Sequence, residues 1–181
     1  MTNNTFEQEV NHINLFLEAM SQIGNIFAGI KQQESHNKEI RICVTGLLDQ
    51  RILADITKAI EETYTSQDSV LLDLSGTTGL TDFTISGVDC ASVKELILPA
   101  SIERINNRFS FRRFPNLKSL SVVPENESFK AVDGVLYTKN MSTLIACFSK
   151  ENSFTVPEGV TRICKYAFTS NSINELSLPE Y

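Results

Sequence analysis

Histidine is nearly missing from this chain: His12 and His36 are the only two among 181 residues. Both precede the first clear strand pattern. Neither is placed to activate a serine or cysteine farther along, as nucleophilic catalysis requires. Glycine-rich phosphate loops and metal-ligand spacings are also lacking. Carboxylates such as Asp73, Asp82 and Asp89 are present, yet no two are marked as a pair with divided acid and base roles. The expectation is therefore a protein that is not an enzyme, with no catalytic residue, no metal site and no cofactor. The longest apolar stretches are far too short to span a bilayer, so membrane insertion is not expected.

Cysteine is sparse as well. Cys43, Cys90, Cys147 and Cys164 stand 47, 57 and 17 residues apart, which matches neither metal-ligand nor redox spacing. Buried free thiols are expected, because an unpaired cysteine behaves as a small hydrophobe. The first ten residues (MTNNTFEQEV) lack a basic stretch and include Glu7 and Glu9, so they do not read as a secretory signal. Localisation stays open between a protein that remains inside the cell and one whose signal was removed or lies outside this chain. The net charge of −6 brings no general attraction to nucleic acid or to an anionic membrane.

What is present is organised. Residues 1–37 read as a lead-in: an amphipathic helix over about 5–31, then a polar linker in which His36 is solvated. Phe6, Val10, Ile13, Leu17, Met20 and Phe27 recur at steps of three and four along much of the helix, and Thr5 with Gln8 resembles a capping box. Gly24 weakens the stripe. Three uses of this helix stay open: an end cap, a self-association device, or a membrane-surface helix. Its polar face carries Glu, Gln and Asn rather than Lys and Arg, so anionic lipid gains little from it.

Residues 38–181 read as a repeat domain. The segment Ile40–Thr45 (IRICVT) alternates and is β-branched, which predicts a strand. Asp49 is placed to cap a helix whose apolar face is Ile52, Leu53, Ile56, Ile60 and Tyr64. Val70–Leu74 is a second strand, and Ser75–Gly79 a turn. This strand–helix–strand unit, 40–75, reads as the first, capping turn of a stack. Repeats over 76–181 follow. A short strand ending in proline recurs at Leu96–Pro99, Leu120–Pro124, Phe154–Pro157 and Leu176–Pro179, and Leu72–Ser75 is the same strand with serine in place of proline. A second strand-like piece follows at Ser101–Ile105 and Gly159–Ile163, then an aromatic, Phe111 or Phe168. Each unit has one narrow apolar edge that it cannot bury alone, and stacking joins the edges into a core. Proline ends each strand because it has no N–H to donate. The fold class expected is a solenoid, mainly β with short parallel strands.

The segments Ile163–Phe168 (ICKYAF) and Ile173–Pro179 (INELSLP) resemble the BspA-type leucine-rich repeat, roughly I-G-x-x-A-F-x-x-C-x-x-L-x-x-I-x-L-P. Residues Asp133–Ile145 resemble the β-hairpin that often interrupts that repeat, which places a hairpin insertion at about 129–148. The resemblance covers about residues 40–181. Asn106 and Cys164 depart from the family's glycine; Phe114 and Ser170 depart from its cysteine, which Cys90 keeps as a core position. The resemblance implies a leucine-rich-repeat solenoid of a bacterial surface or secreted type. It also implies adhesin-like function in cell adhesion, with binding to matrix or host proteins.

Alternation along a strand places Leu72, Leu96, Leu120, Phe154 and Leu176 inward. The outward columns are then Asp73, Ile97, Ser121, Thr155 and Ser177, with Leu71, Glu95, Ser119, Ser153 and Glu175 beside them. At about 4.8 Å between strands, these form one continuous, hydroxyl-rich, slightly acidic face: the expected site for a protein or glycan partner. A secondary basic patch, Arg104, Arg108, Arg112 and Arg113, is interleaved with Phe109, Phe111 and Phe114. Arginine among aromatics is a nucleic-acid pattern, but these phenylalanines coincide with core positions. An acidic protein or a sulfated glycan suits the patch better, and no nucleic-acid partner is expected. The alternative function is self-assembly into a homo-oligomer through the lead-in helix and the edge of the last strand, at Leu178–Tyr181.

Overall fold

The computed structural model describes residues 26–33, 39–85, 87–105, 111–169 and 173–179. Residues 5–25 of the expected lead-in helix lie outside the described residues, as do linker residues 34–38 with His36, and Arg108 and Phe109 of the basic patch.

Residues 26–31, expected as the end of that helix, are a strand. β1 (Ile26–Gln33) pairs antiparallel with β2 (Glu39–Leu47), in a register that sets Phe27 opposite Thr45 and Ile30 opposite Ile42. The spacing of Ile26, Phe27 and Ile30 suits a helix or a strand. The paired edge of β2 decides in favour of the strand, and Gly29 lowers the helical alternative.

The strand–helix–strand unit is present: β2, then α1 (Gln50–Thr63), then β3 (Ser69–Thr78). Asp49 caps α1, its carboxylate accepting from the backbone N–H of Arg51 at 2.8 Å and of Ile52 at 2.9 Å. Such a cap is worth ~1 kcal/mol. Leu53, Ile56 and Ile60 are buried against Ile40, Ile42, Val44, Val70 and Leu72 of the sheet. Each aliphatic side chain so buried contributes roughly 1.5–3 kcal/mol. β3 runs through most of the expected Ser75–Gly79 turn, because β2 continues beside it, Gly46 facing Thr77 and Leu47 facing Thr78. The register shifts between Cys43 and Thr45, where β3 spends one extra residue. Gly76 lies just past this bulge. A Cβ there would stand 2.7 Å from the Thr45 methyl, so the close approach requires glycine.

After β4 (Asp82–Phe83), β5 (Val93–Leu98) adds to β3, and β7 (Ser119–Val122) adds to β5. The main sheet has the order β1-β2-β3-β5-β7, parallel from β2 onward. The minor strand β6 (Arg104–Ile105) pairs parallel with β4. A short 3-10 turn, Phe111–Arg113, buries Phe111 between Phe83 and Phe148, at ring-centroid distances of 5.7 and 5.2 Å. One buried asparagine closes the next turn. Asn126 donates to the carbonyls of Pro99, Ala100 and Ile102 and accepts from the backbone N–H of Ser128 and Phe129.

The insertion is a three-stranded antiparallel meander, β8 (Phe129–Val132), β9 (Val135–Thr138) and β10 (Thr143–Cys147). Asp133 and Gly134, both at positive φ, form its first turn, the conformation a two-residue hairpin needs. β11 (Ser153–Thr155), β12 (Arg162–Ile163) and β13 (Glu175–Ser177) follow. β12 pairs with β10, and β11 with β13, both in parallel. A large core runs from Ile40 to Phe148. A smaller one gathers Val135, Tyr137, Leu144, Cys147, Val156, Val160 and Ala167. The protein is mainly β, with parallel-strand sheets and one helix among the described residues.

Candidate interaction face

Ladder register decides which outward residues share a face. Leu71, Glu95 and Ser119 stand side by side across β3, β5 and β7. Asp73, Ile97 and Ser121 stand side by side one pleat along. Both rows are those expected from alternation. They extend onto β2, where Arg41 lies beside Leu71 and Cys43 beside Asp73. Arg41 and Cys43 were not among the expected face residues. The alternation of buried Ile40, Ile42 and Val44 was the signal that could have found them.

The face does not run unbroken to the last repeat. Ser153, Thr155, Glu175 and Ser177 occupy a separate two-stranded sheet, Ser153 beside Glu175 and Thr155 beside Ser177. The meander follows β7 in the chain and forms its own sheet with β12. Inserted backbone that pairs with itself interrupts the parallel ladder.

Asp73 also departs from expectation. It occupies an outward position yet is 5% exposed. The Arg41 guanidinium donates to its Oδ2, and the Ser75 backbone N–H donates to Oδ1 at 3.0 Å. Asp73 thus holds the β3 bulge and is not a free contact residue. Burial alone would raise its carboxyl. The hydrogen bonds from Arg41 and Ser75, with the charge of Arg41, hold it below the usual carboxylate range. An outward position does not ensure exposure when a long neighbour such as Arg41 folds over it.

What remains accessible is graded. Leu71, Glu95 and Ile97 are half-buried, while Ser119 and Ser121 are exposed. The result is a mixed centre, in which Leu71 and Ile97 stand diagonally with Glu95 and Asp73 between them, flanked by Arg41 and Cys43 on one side and by the Ser119 and Ser121 hydroxyls on the other. Backbone ladders hold these side chains on rigid strands, as a binding surface needs.

The basic patch is largely committed elsewhere. Arg104 pairs with Asp82 at 3.3 Å and Arg113 with Asp89 at 2.9 Å. Arg112 is exposed, and Phe111 and Phe114 are core residues. The four cysteines are free thiols. Cys90 and Cys147 are buried; Cys43 and Cys164 are half-buried rather than buried as expected. Burial pushes the Cys90 thiol up to about 12, which keeps it protonated and unreactive. Among the described residues, no group of three His, Cys, Asp or Glu side chains could hold a metal ion. No helix among them is long and apolar enough to cross a membrane.

No protein-family model matches the chain. No curated protein matches it either. Two solved structures are similar to it. The pneumococcal vaccine antigen PcpA is 24% identical with a TM-score of 0.42, over 62% of this chain and 34% of that one. A leucine-rich repeat protein from Eubacterium ventriosum is 17% identical with a TM-score of 0.40, over 84% of this chain and 61% of that one. The chain thus spans about a third of the first protein's length and about three fifths of the second's.

Proposed function

We propose that this chain is a leucine-rich-repeat module of the BspA type, without catalytic activity, that captures a protein partner on the outer face of its main sheet. One observation carries the reading: Leu71, Glu95, Ile97, Ser119 and Ser121 stand in register on three parallel strands, so that two apolar side chains, a carboxylate and two hydroxyls share one face. Protein interfaces of the non-obligate kind mix apolar and polar groups in this way. The non-enzymatic part rests on the sequence, whose two histidines lie outside the repeats. The adhesin-like part rests on the repeat pattern at Ile163–Phe168 and Ile173–Pro179, and implies a matrix protein, a host protein or a glycan as partner.

The face is tested by binding. Purified matrix proteins and heparin are immobilised, and the chain is passed over them. A Ser119→Arg, Ser121→Arg double variant places two long cations on exposed positions and leaves the core intact. Capture by a matrix protein that the variant loses, with its thermal transition unchanged, supports the face. Capture that the folded variant retains removes it. Capture by heparin that is lost instead on Arg112→Ala moves the site to the arginine patch.

A further inference from the structure

Glu95 differs from the acids around it. Asp73 is held by Arg41, Asp82 by Arg104 and Asp89 by Arg113. Glu95 stands half-buried in the middle of the outer face. Among the described residues its carboxylate has neither an ion pair nor a hydrogen bond. Its ladder neighbours supply no cation: Leu71 lies on one side and Ser119 on the other, and Ile97 follows on the same strand. The cations nearby are engaged or distant. Lys94 is buried, and its ammonium donates to the carbonyls of Ser66 and Ala91, both at 2.8 Å. Arg41 stands two strands away in the same row and folds onto Asp73. Lys31 stands one strand farther, about 14 Å from Glu95 across the sheet. Lys118 is exposed beside Ser119 and forms no ion pair with Glu95.

We infer that the partner held on this face presents a lysine or arginine to Glu95, set among apolar side chains that meet Leu71 and Ile97. The inference rests on the reading of this face as the interaction surface and adds the partner's chemistry to it. A carboxylate loses its remaining water when a partner covers it, and that loss must be offset by a cation. An anionic partner, such as a sulfated glycan, brings like charge instead. The same rule discriminates against the chain's own material. Residues 1–25 contain Glu7, Glu9 and Glu18 and no lysine or arginine, so they offer Glu95 no cation. A second copy carries the same net charge of −6, which opposes its approach and draws in a cationic partner. Lys31 and Arg41, at the other end of the row, repel a cation. They confine it to the β5 side and fix the direction in which the partner lies.

The test is a charge reversal. A library of random peptides is displayed on phage and selected in parallel on the full chain, on Glu95→Lys and on the Ser119→Arg, Ser121→Arg double variant. Peptides selected by the native chain should be enriched in lysine or arginine next to apolar residues. Glu95→Lys should select aspartate or glutamate at that place. Glu95→Gln should bind the basic peptides about tenfold more weakly, with its thermal transition unchanged, since the fold loses no hydrogen bond or ion pair. Peptide binding that the double variant abolishes, but whose charge preference does not follow residue 95, overturns the inference and leaves the face standing. A selection that yields no peptide lost on the double variant overturns the face and the inference together. Preference for acidic peptides assigns an anionic partner and overturns the inference. So does capture of a synthetic peptide of residues 1–25, or dimerisation that Glu95→Gln alters, either of which assigns the face to the chain itself.

Discussion

The main sheet and the last strand pair are built from one sequence pattern with opposite consequences. In β3, β5 and β7 the inward leucine is sealed by neighbours in register; in β13 the same leucine meets solvent. Nothing local separates the two cases. Leu96-Ile-Leu-Pro and Leu176-Ser-Leu-Pro differ at one position. Burial in a stacked fold therefore belongs to the pair of adjacent units, not to the residue.

The sharpest way to break this comparison is to truncate both leucines. Leu96→Ala should cost about 2–5 kcal/mol, because it leaves a cavity in a packed core. Leu176→Ala should cost under about 1 kcal/mol, as for an exposed position. Chemical denaturation of the two variants checks this, and equal losses would refute the contrast. Asn126→Ala comes next. Its amide bridges the Pro99–Ile102 turn and the start of the meander, so it ties the two regions together. Removing it leaves three carbonyls and two N–H groups without this partner, for a loss of roughly 3 kcal/mol. Proteolysis should then release the meander region before the main sheet.

Asp73→Asn probes the main sheet alone. At neutral pH it should cost about 1–3 kcal/mol, since a buried charged hydrogen bond is lost. The folded carboxyl lies below its unfolded value of about 3.9. Its contribution is therefore complete above that value and lost as pH falls through the lower folded one. Stability curves of the native chain and the variant should converge on acidification, and a gap that stays constant into strong acid would assign the loss to packing instead. The smallest effect is expected at Gly76→Ala, about 1 kcal/mol, from the clash with the Thr45 methyl. Adding Thr45→Ser removes that methyl and should recover most of the loss in a double-mutant cycle.

Several elements were legible beforehand because their signals are local. Asp49 before Ile52, Leu53, Ile56 and Ile60 announces a capped helix, and α1 starts where that cap places it. The recurring strands and the in-register rows Leu71–Glu95–Ser119 and Asp73–Ile97–Ser121 were equally legible. The hairpin that the resemblance implied at about 129–148 is instead a three-stranded meander, because β10 adds to β9. Residues 26–31 were misread because their apolar spacing fits two periods, and only pairing with β2 separates them. Asp73 was misread because no strand pattern reveals that Arg41, 32 residues earlier, folds across it. The break between β7 and β11 was missed because the expected hairpin was read as an interruption of the chain and not of the sheet.

By itself the sequence determined the local matters: strand and helix types, the helix cap, the turn residues and the row to which each outward side chain belongs. Each follows from backbone sterics, periodicity and hydrogen bonds within a few residues. Tertiary structure alone decided which rows join into one face, that Asp73 is spent on the β3 bulge, and that Leu176 meets solvent while Leu96 does not. The reason is physical: burial and charge pairing depend on which distant segment lies alongside, and residues tens of positions apart acquire a common environment only when strands stack.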